Sequence, residues 1–580
     1  MKSLALFLSY AVLLSSVARA AEVVSFNLGA KNRPNVQAVH GISQGPKFEK
    51  GWDSHMPDGR NRAAKDWTSG FKRAAVPSVR VHGMGCVDMD HLWRPSTYAG
   101  FDPKDTSNYD WTISDECLRN VYDNPSLSDL KSASIRFGHS RAKVADYPSF
   151  CQGPDDVDIF AEVCVAIIDR YLNVKGYPVR DFSVWNEPSG GIEHSDYAFY
   201  CKGPDDYAAM YIAVWNKAKA KFGNRIRIGA ALGLDDFSRT VVAQLKASNV
   251  GMDFVDHHSY PNTPSAIPYQ VHVKPGGYNM EDIMAEGGFS KTTPIILGEW
   301  SRSIGLNYAL DGPGASFIAA SLIYIDDMGL QRSGGVHNVE QAYLFSSQKV
   351  WDGLKPDAPD LNAATVLNWW RDMVGRPAMP STGGRMPTAT TNDELAVLMA
   401  GPKAEGKDSN DALALIAHYE ADKQKPSRVL PTTGLPFDLQ VNLEGIPWQD
   451  FKWTQYAKAP KAASLVEVAS GKGKGPKVTL GLKMNRNSFS TLRVENAKPS
   501  SGGLLGLGLT GIKLKIAIGA AAGVVAILIG VALKCTVFRR PRSAKAGPVP
   551  TTLGFFMSEL KHEGGEDDES LQTFNPIVQT

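Results

Sequence analysis

What this sequence is short of is charge of one sign. Its 62 Lys and Arg stand against 60 Asp and Glu, a formal +2 over 580 residues, and no dense basic stripe runs through the long central region. The electrostatic attraction on which nucleic-acid binding rests is missing, so no nucleic-acid partner is expected. No HExxH, no CxxC pair and no calcium-type carboxylate loop occurs, so no metal site is required. No glycine-rich phosphate loop follows a strand-like run, and no cofactor is expected. The Asn-x-Ser/Thr sequon is absent too, which argues against N-linked sugar.

Long apolar runs are confined to the two ends. Residues 1–20 carry Lys2, an apolar stretch from Leu4 to Leu14 and a small-x-small cleavage site at Ala18-Arg19-Ala20, the pattern of a signal peptide. Ile516 to Leu533 is uncharged, with Lys513 and Lys515 before it and Lys534, Arg539, Arg540 and Arg542 after. At about 1.5 Å per residue this run spans roughly 27 Å as a helix, enough for one transmembrane crossing. The denser basic cluster places the tail, 534–580, in the cytoplasm. The expectation is a single-pass type I membrane protein of the cell surface or secretory pathway, with a lipid bilayer as one partner and its bulk outside.

A chain this long exceeds one core, and its texture changes once. From Val36 to about Gly375 eight β-rich runs (VQAVHGI, VPSVRVHG, SASIRFGH, PVRDFSVWN, RIRIGAAL, MDFVDHHSY, TPIILGEW and VEQAYLF) alternate with amphipathic segments such as VDIFAEVCVAIIDRYL. Eight strand-then-helix units predict an α/β fold, a (β/α)8 TIM barrel over 31–375, with chemistry at the C-terminal ends of its strands. After Arg376 short runs such as ELAVLMAG and FDLQVNL, punctuated by Gly, Pro and Asn, predict a C-terminal β-sandwich domain over 376–497, joined by 21–30. Residues 498–515 read as a linker into the membrane.

Five of the six cysteines lie in the exported part, where disulfides persist. CQGPDD at Cys151 and CKGPDD at Cys201 each precede a predicted helix, on the catalytic rim of adjacent barrel units. That echo suggests a Cys151–Cys201 bridge, with Cys86–Cys117 as a second and Cys164 as a buried thiol, one of several ways of pairing five cysteines.

The chemistry gathers at two strand ends. The fourth run ends in Asn186-Glu187-Pro188 and the seventh in Gly298-Glu299-Trp300. Strands four and seven face each other across a barrel mouth, and two carboxyl groups across a pocket are what glycoside hydrolysis requires. A lone Asn-Glu-Pro is a weak signal; the pair is a strong one. Mutual repulsion is expected to help keep the acid protonated at rest.

Over roughly residues 22–495 the chain resembles a clan A glycoside hydrolase, most closely the family 39 group of β-xylosidases and α-L-iduronidases, with VRVHG, WNEP, DFVDHHSY and GEW in family order. The resemblance implies that Glu187 is the general acid/base, Glu299 the nucleophile and Asn186 a partner of the neighbouring sugar hydroxyl. It also implies that Tyr260 orients the nucleophile beside His258, that His82 touches sugar, and that Arg80 keeps the nucleophile's surroundings positive. Departures are Gly298, where the family usually has threonine, Asp256 and His257 in place of small residues, read here as solvated loop positions with substrate contact as the alternative, and GHSRA after the third strand. Trp185 and Trp300 are expected to line the pocket, Trp111 to pack at a helix start, and His40, His139 and Trp351 are candidate pocket residues. The reaction expected is a retaining double displacement, exo-acting on β-linked sugars. An endo-acting glycanase, or an inactive surface carbohydrate-binding or adhesion protein, are the alternatives.

Overall fold

The computed structural model describes residues 21–497, apart from 49–50, 53–60, 63, 82–85, 87, 94–99, 139–150, 190–198, 272–278, 303–311, 333–338, 346–361, 386–392, 404–409, 422–435 and 459–464. The expected signal peptide, linker, transmembrane run and tail lie outside the described residues. Among the described residues no helix is long and apolar enough to cross a membrane.

Eight parallel strands close into a barrel in chain order: β1 (His40–Ser43), β2 (Ser78–Val81), β3 (Ser132–Phe137), β4 (Asp181–Val184), β5 (Arg227–Ala231), β6 (Phe254–Ser259), β7 (Ile295–Trp300) and β8 (Val339–Leu344). Seven fall within the runs read from the sequence, and β1 overlaps the last three residues of VQAVHGI and extends beyond it to Ser43. Alternate residues face opposite ways. Val79, Val81, Ile135, Phe182, Val184, Val255 and Leu297 join the large cluster under the helices, whereas Phe254, Ile296 and Tyr343 form a separate one inside. The inner rings fit because the strands beside them carry glycine. A Cβ on Gly229 would stand 2.2 Å from the Phe254 ring and one on Gly41 2.7 Å from the Tyr343 ring.

Helix starts are fixed by side chains that satisfy free N–H groups. Asp156 caps helix Val157–Asp169, Asp235 caps Asp236–Ala247 and Asn279 caps Met280–Glu286. Helix Pro204–Phe222 opens on proline, whose missing N–H costs nothing at that position. The disulfides Cys86–Cys117 and Cys151–Cys201 are formed, with Cα atoms 5.3 and 5.2 Å apart, and Cys164 is a buried thiol.

Apart from two short two-stranded pairs, Lys47–Phe48 with Lys65–Asp66 and Gly51–Trp52 with Asn61–Arg62, the remaining strands make two sheets. One has the order Ser381–Thr382, Glu22–Asn27, Phe437–Glu444, Val478–Met484; the other has Ala378–Met379, Asp393–Ala400, Asp411–Glu420, Ser488–Asn496, Asp450–Lys458, Leu465–Lys474. Glu22–Asn27 pairs in parallel with Phe437–Glu444, so a strand that precedes the barrel in sequence is built into the sandwich. Strands Asp393–Ala400 and Asp411–Glu420 are buried on both faces. Leu395, Val397, Met399, Ala414 and Ile416 fill the space between the sheets, and Ala396, Leu398, Leu413, Leu415 and Tyr419 belong to the barrel's own cluster. Phe317 of helix Gly312–Arg332 meets the Tyr419 ring edge-on at 5.6 Å, and the Trp369 indole donates to the Ala414 carbonyl at 3.1 Å. Burying one such side chain stabilises by about 1.5–3 kcal/mol. The sandwich is therefore part of the barrel's core wall.

One buried acid marks this seam. Glu394 accepts from the Ser265 amide at 3.2 Å and hydroxyl at 2.8 Å, and burial drives its carboxyl from 4.5 up to about 8. The folded state thus binds a proton that the unfolded chain releases near pH 4.5, so stability falls as pH rises from about 4.5 to about 8. In Glu394→Gln this slope should flatten. Urea unfolding at pH 5 and pH 8 checks it, and an unchanged difference between the two would remove Glu394 as the cause.

Candidate active site

The fourth strand stops abruptly because its backbone turns into the left-handed region. Trp185 has φ +69° and Glu187 φ +42°, left-handed values that cost a bulky residue strain and persist only where the surroundings impose them. The first of these turns sends Trp185 away from the barrel mouth. Its ring lies 5.5 Å from Tyr200 and 6.0 Å from Phe160, and its Nε1–H donates to the Phe199 carbonyl at 3.0 Å. Gly138 leaves it room, since a Cβ there would come within 2.5 Å of the indole. The second turn delivers Glu187 to the mouth, where its side chain is 24% exposed.

On the opposite side, β7 carries a bulge. His257 pairs with Leu297 and His258 with Glu299, so Gly298 is the extra residue. A bulge re-aims the side chain beyond it. Glu299 points inward, where Arg80 Nη1 donates to its Oε1 at 2.8 Å and the Tyr260 hydroxyl to its Oε2 at 2.5 Å. Arg80, from β2, also reaches Asn186 Oδ1 at 3.4 Å and Asp256 Oδ2 at 3.3 Å. His258 closes the ring of contacts, its Nδ1 2.6 Å from Glu187 Oε1 and 3.6 Å from Glu299 Oε2. Carboxylate oxygens of Glu187 and Glu299 and a ring nitrogen of His258 all lie within 4.8 Å of one another. Such a trio has the composition of a metal-ligand set, and both Glu299 oxygens in it already accept hydrogen bonds from Arg80 and Tyr260.

Charges here do not settle as repulsion alone predicts. Burial works against ionising Glu187, yet the His258 hydrogen bond and the His258 and Arg80 charges outweigh it and hold the carboxyl below its usual range. For His258 burial again opposes charge, and Glu299 and Glu187 overcome it, raising the imidazole above its ordinary value. The expectation of a resting Glu187 kept protonated by Glu299 is therefore corrected: a histidine between the two acids takes the proton first. Burial, then the Glu299 and Glu187 charges, pushes the Tyr260 phenol well up, so it stays a donor.

Six of the nine site residues named from sequence converge: Glu187, Glu299, Asn186, Arg80, His258 and Tyr260. His82 lies outside the described residues, as do His139 and Trp351. Trp185 and Trp300 are both fully buried, Trp185 against helix Val157–Asp169 and Trp300 within the main cluster, so neither presents an open ring to a sugar. Trp111 packs at a helix start as expected, stacked 4.9 Å from Tyr109 under the Arg170 guanidinium. His40 opens β1 instead of ending it, which puts it at the far end of the barrel from the acids, where burial lowers its imidazole to about 4. Asp256 and His257 are strand residues, both buried, and not solvated loop. His257 turns its Nδ1 to the Leu232 carbonyl at 3.0 Å, and Asp256 faces inward beside Arg80. The period of two places Asp256, His258 and Tyr260 on one face, a signal the sequence already held.

No protein-family model matches the chain, and neither does any curated protein. Solved structures do match. The glucosidase from Croceicoccus marinus superposes with TM-score 0.59 at 18% identity over 83% of this chain and 100% of its own. The monomeric beta-xylosidase from Caulobacter crescentus gives 0.56 at 14% over 82% and 100%. The GH39 enzyme from Xanthomonas axonopodis pv. citri gives 0.52 at 16% over 83% and 99%. At these identities the likeness is one of fold, and it spans barrel and sandwich together.

Proposed function

We propose that this chain is a membrane-anchored extracellular glycoside hydrolase, acting by a retaining double displacement and removing terminal β-linked sugars in the manner of a β-xylosidase. The observation that carries it is the pair of carboxyl groups at the ends of β4 and β7, with oxygens within 4.8 Å of each other. Retaining enzymes hold their two carboxyl groups about 5–5.5 Å apart, inverting ones about 6.5–9.5 Å. On this reading Glu299, aimed by Arg80 and Tyr260, attacks the anomeric carbon, while Glu187 protonates the departing oxygen and later deprotonates the incoming water. Asn186, tethered to Arg80, offers its amide N–H to the adjacent hydroxyl, a contact that tightens at the transition state. His82 remains the expected sugar contact from β2. The β-linked reading is supported by the beta-xylosidase named above and the exo reading by the resemblance to family 39; the anchor rests on Ile516–Leu533 with its basic flank, and export on residues 1–20.

The test is release of aryl alcohol from a panel of aryl glycosides, with the first sugar product followed by proton NMR. One β-glycoside should be cleaved and the β anomer should appear first. An α anomer appearing first would sink the double displacement, and silence from a folded protein would favour polymer cleavage or plain sugar binding.

A further inference from the structure

We propose that Asp256 is a positioning residue for the reaction: seated in the space that Gly298 leaves empty, its carboxylate balances Arg80 and faces His258, so that the imidazole stores the proton Glu187 passes to the departing oxygen. This rests on the reading of Glu187 and Glu299 as the working pair.

The space is shared in a literal sense. A Cβ on Gly298 would lie 1.8 Å from Asp256 Oδ1, 2.8 Å from its Cγ and 3.0 Å from Arg80 Nε. Those distances are incompatible with any side chain at 298 while the carboxylate is in place. The glycine of the bulge and the aspartate of β6 are thus one feature, and the two departures noted from sequence explain each other.

Asp256 also changes the charge balance around His258. The imidazole meets Glu187 from the end of β4 at 2.6 Å, Glu299 from β7 at 3.6 Å and, through Nε2, Asp256 from its own strand at 3.9 Å. Against these stand the Arg80 guanidinium, the neighbouring His257 and the protonated Tyr260 phenol. With His258 neutral, these three carboxylates oppose the one guanidinium of Arg80; with His258 charged, one net negative charge remains. Among the described residues neither His258 Nε2 nor Asp256 Oδ1 has a hydrogen-bond partner, and the two atoms face each other across that gap. The titrations support this placement. Burial disfavours the Asp256 carboxylate, but the Arg80 and His258 charges outweigh it and hold its pKa below the usual value.

Proton traffic then balances. Glycosylation moves one proton from the His258–Glu187 pair to the glycosidic oxygen as the Glu299–carbon bond forms and the carbon–oxygen bond breaks. Deglycosylation forms a carbon–oxygen bond to water as the Glu299–carbon bond breaks, and returns one proton from that water to the same pair.

The experiment is an NMR titration of the His258 imidazole in the full chain and in Asp256→Asn, with the signal assigned by its loss in His258→Gln, beside the pH profile of kcat/KM on the cleaved aryl glycoside. In Asp256→Asn the imidazole should titrate at lower pH and the alkaline limb of the profile should move down with it, with KM little changed. An unmoved imidazole titration overturns the proposal. Absence of turnover in the wild type would defeat the glycosidase reading while leaving the NMR result to decide on Asp256. Gly298→Ala should produce the same downward shift by displacing the carboxylate, with lost stability that Asp256→Ala restores in the double variant. Strictly additive losses would mean that the two positions do not share the space.

Discussion

Glu299→Ala is expected to lose turnover by a factor on the order of 10⁵, the scale on which removing the attacking group of a two-step hydrolase acts. The reason lies in how much of the site is organised around that one carboxylate. Two donors, Arg80 Nη1 and the Tyr260 hydroxyl, each aim one of its oxygens, and the bulge at Gly298 turns the backbone to present it. Alanine leaves a hole where the bond to carbon would form, and a small anion that fits the hole should take over. Azide should restore part of the rate and yield a glycosyl azide of inverted configuration. Glu187→Ala should behave differently: glycosides with good leaving groups still lose them, and azide then gives the retained product. If azide gave the same configuration with both variants, the assignment of roles would be wrong.

Arg80→Leu is expected to cost about 3–5 kcal/mol of stability together with most of the activity, the typical consequence of removing one partner from a buried ion pair. Its side chain has no exposed surface and meets Glu299 and Asp256 at 2.8 and 3.3 Å. Without it those acids remain buried with only His258 to counter them. The loss carries a pH signature. Asp256 and Glu187 both have folded-state pKa values depressed, in part, by Arg80. That stability is present above their unfolded values and is lost as pH falls through the folded ones. The gap between wild type and variant should therefore be widest at neutral pH and shrink below about pH 4, where carboxylates take up protons. Denaturant midpoints at pH 7 and pH 3.5 measure it; a gap independent of pH would point to lost packing instead of lost charge pairing.

Much of this was legible in the residues. The eight runs found their strands because each carries a face of Val, Ile, Leu or Phe toward the helices, and that face dominates the local pattern. Glu187 and Glu299 were readable because strand ends are where a barrel keeps its chemistry. The echo of CQGPDD and CKGPDD foretold a bridge, since two similar helix entries on neighbouring units bring their cysteines to similar heights.

The misplaced residues have physical causes too. Asp256 passed for loop although its run was read as a strand, because a charged residue followed by two histidines near a strand end looks like the start of a solvated turn unless the inner face of the barrel is known to be polar. Trp185 was assigned to the pocket on its position beside Glu187, but its positive φ reverses the direction that neighbours in a strand would take. His40 was placed at the wrong end because VQAVHGI was read as ending where the barrel strand is only beginning. The proton on His258 could not be read at all. It depends on which side chains from β2, β4, β6 and β7 meet in space, and no local pattern records that.

The parallel pairing of Glu22–Asn27 with Phe437–Glu444 sets a timetable for synthesis. Val23 lies opposite Gln440, so a strand that leaves the ribosome ahead of the whole barrel waits for a partner made more than four hundred residues later. At about 5–20 residues per second, that delay is roughly 20–80 s. Throughout it the nascent chain holds out an unpaired hydrogen-bonding edge, and the sandwich cannot close until the barrel has been translated in full.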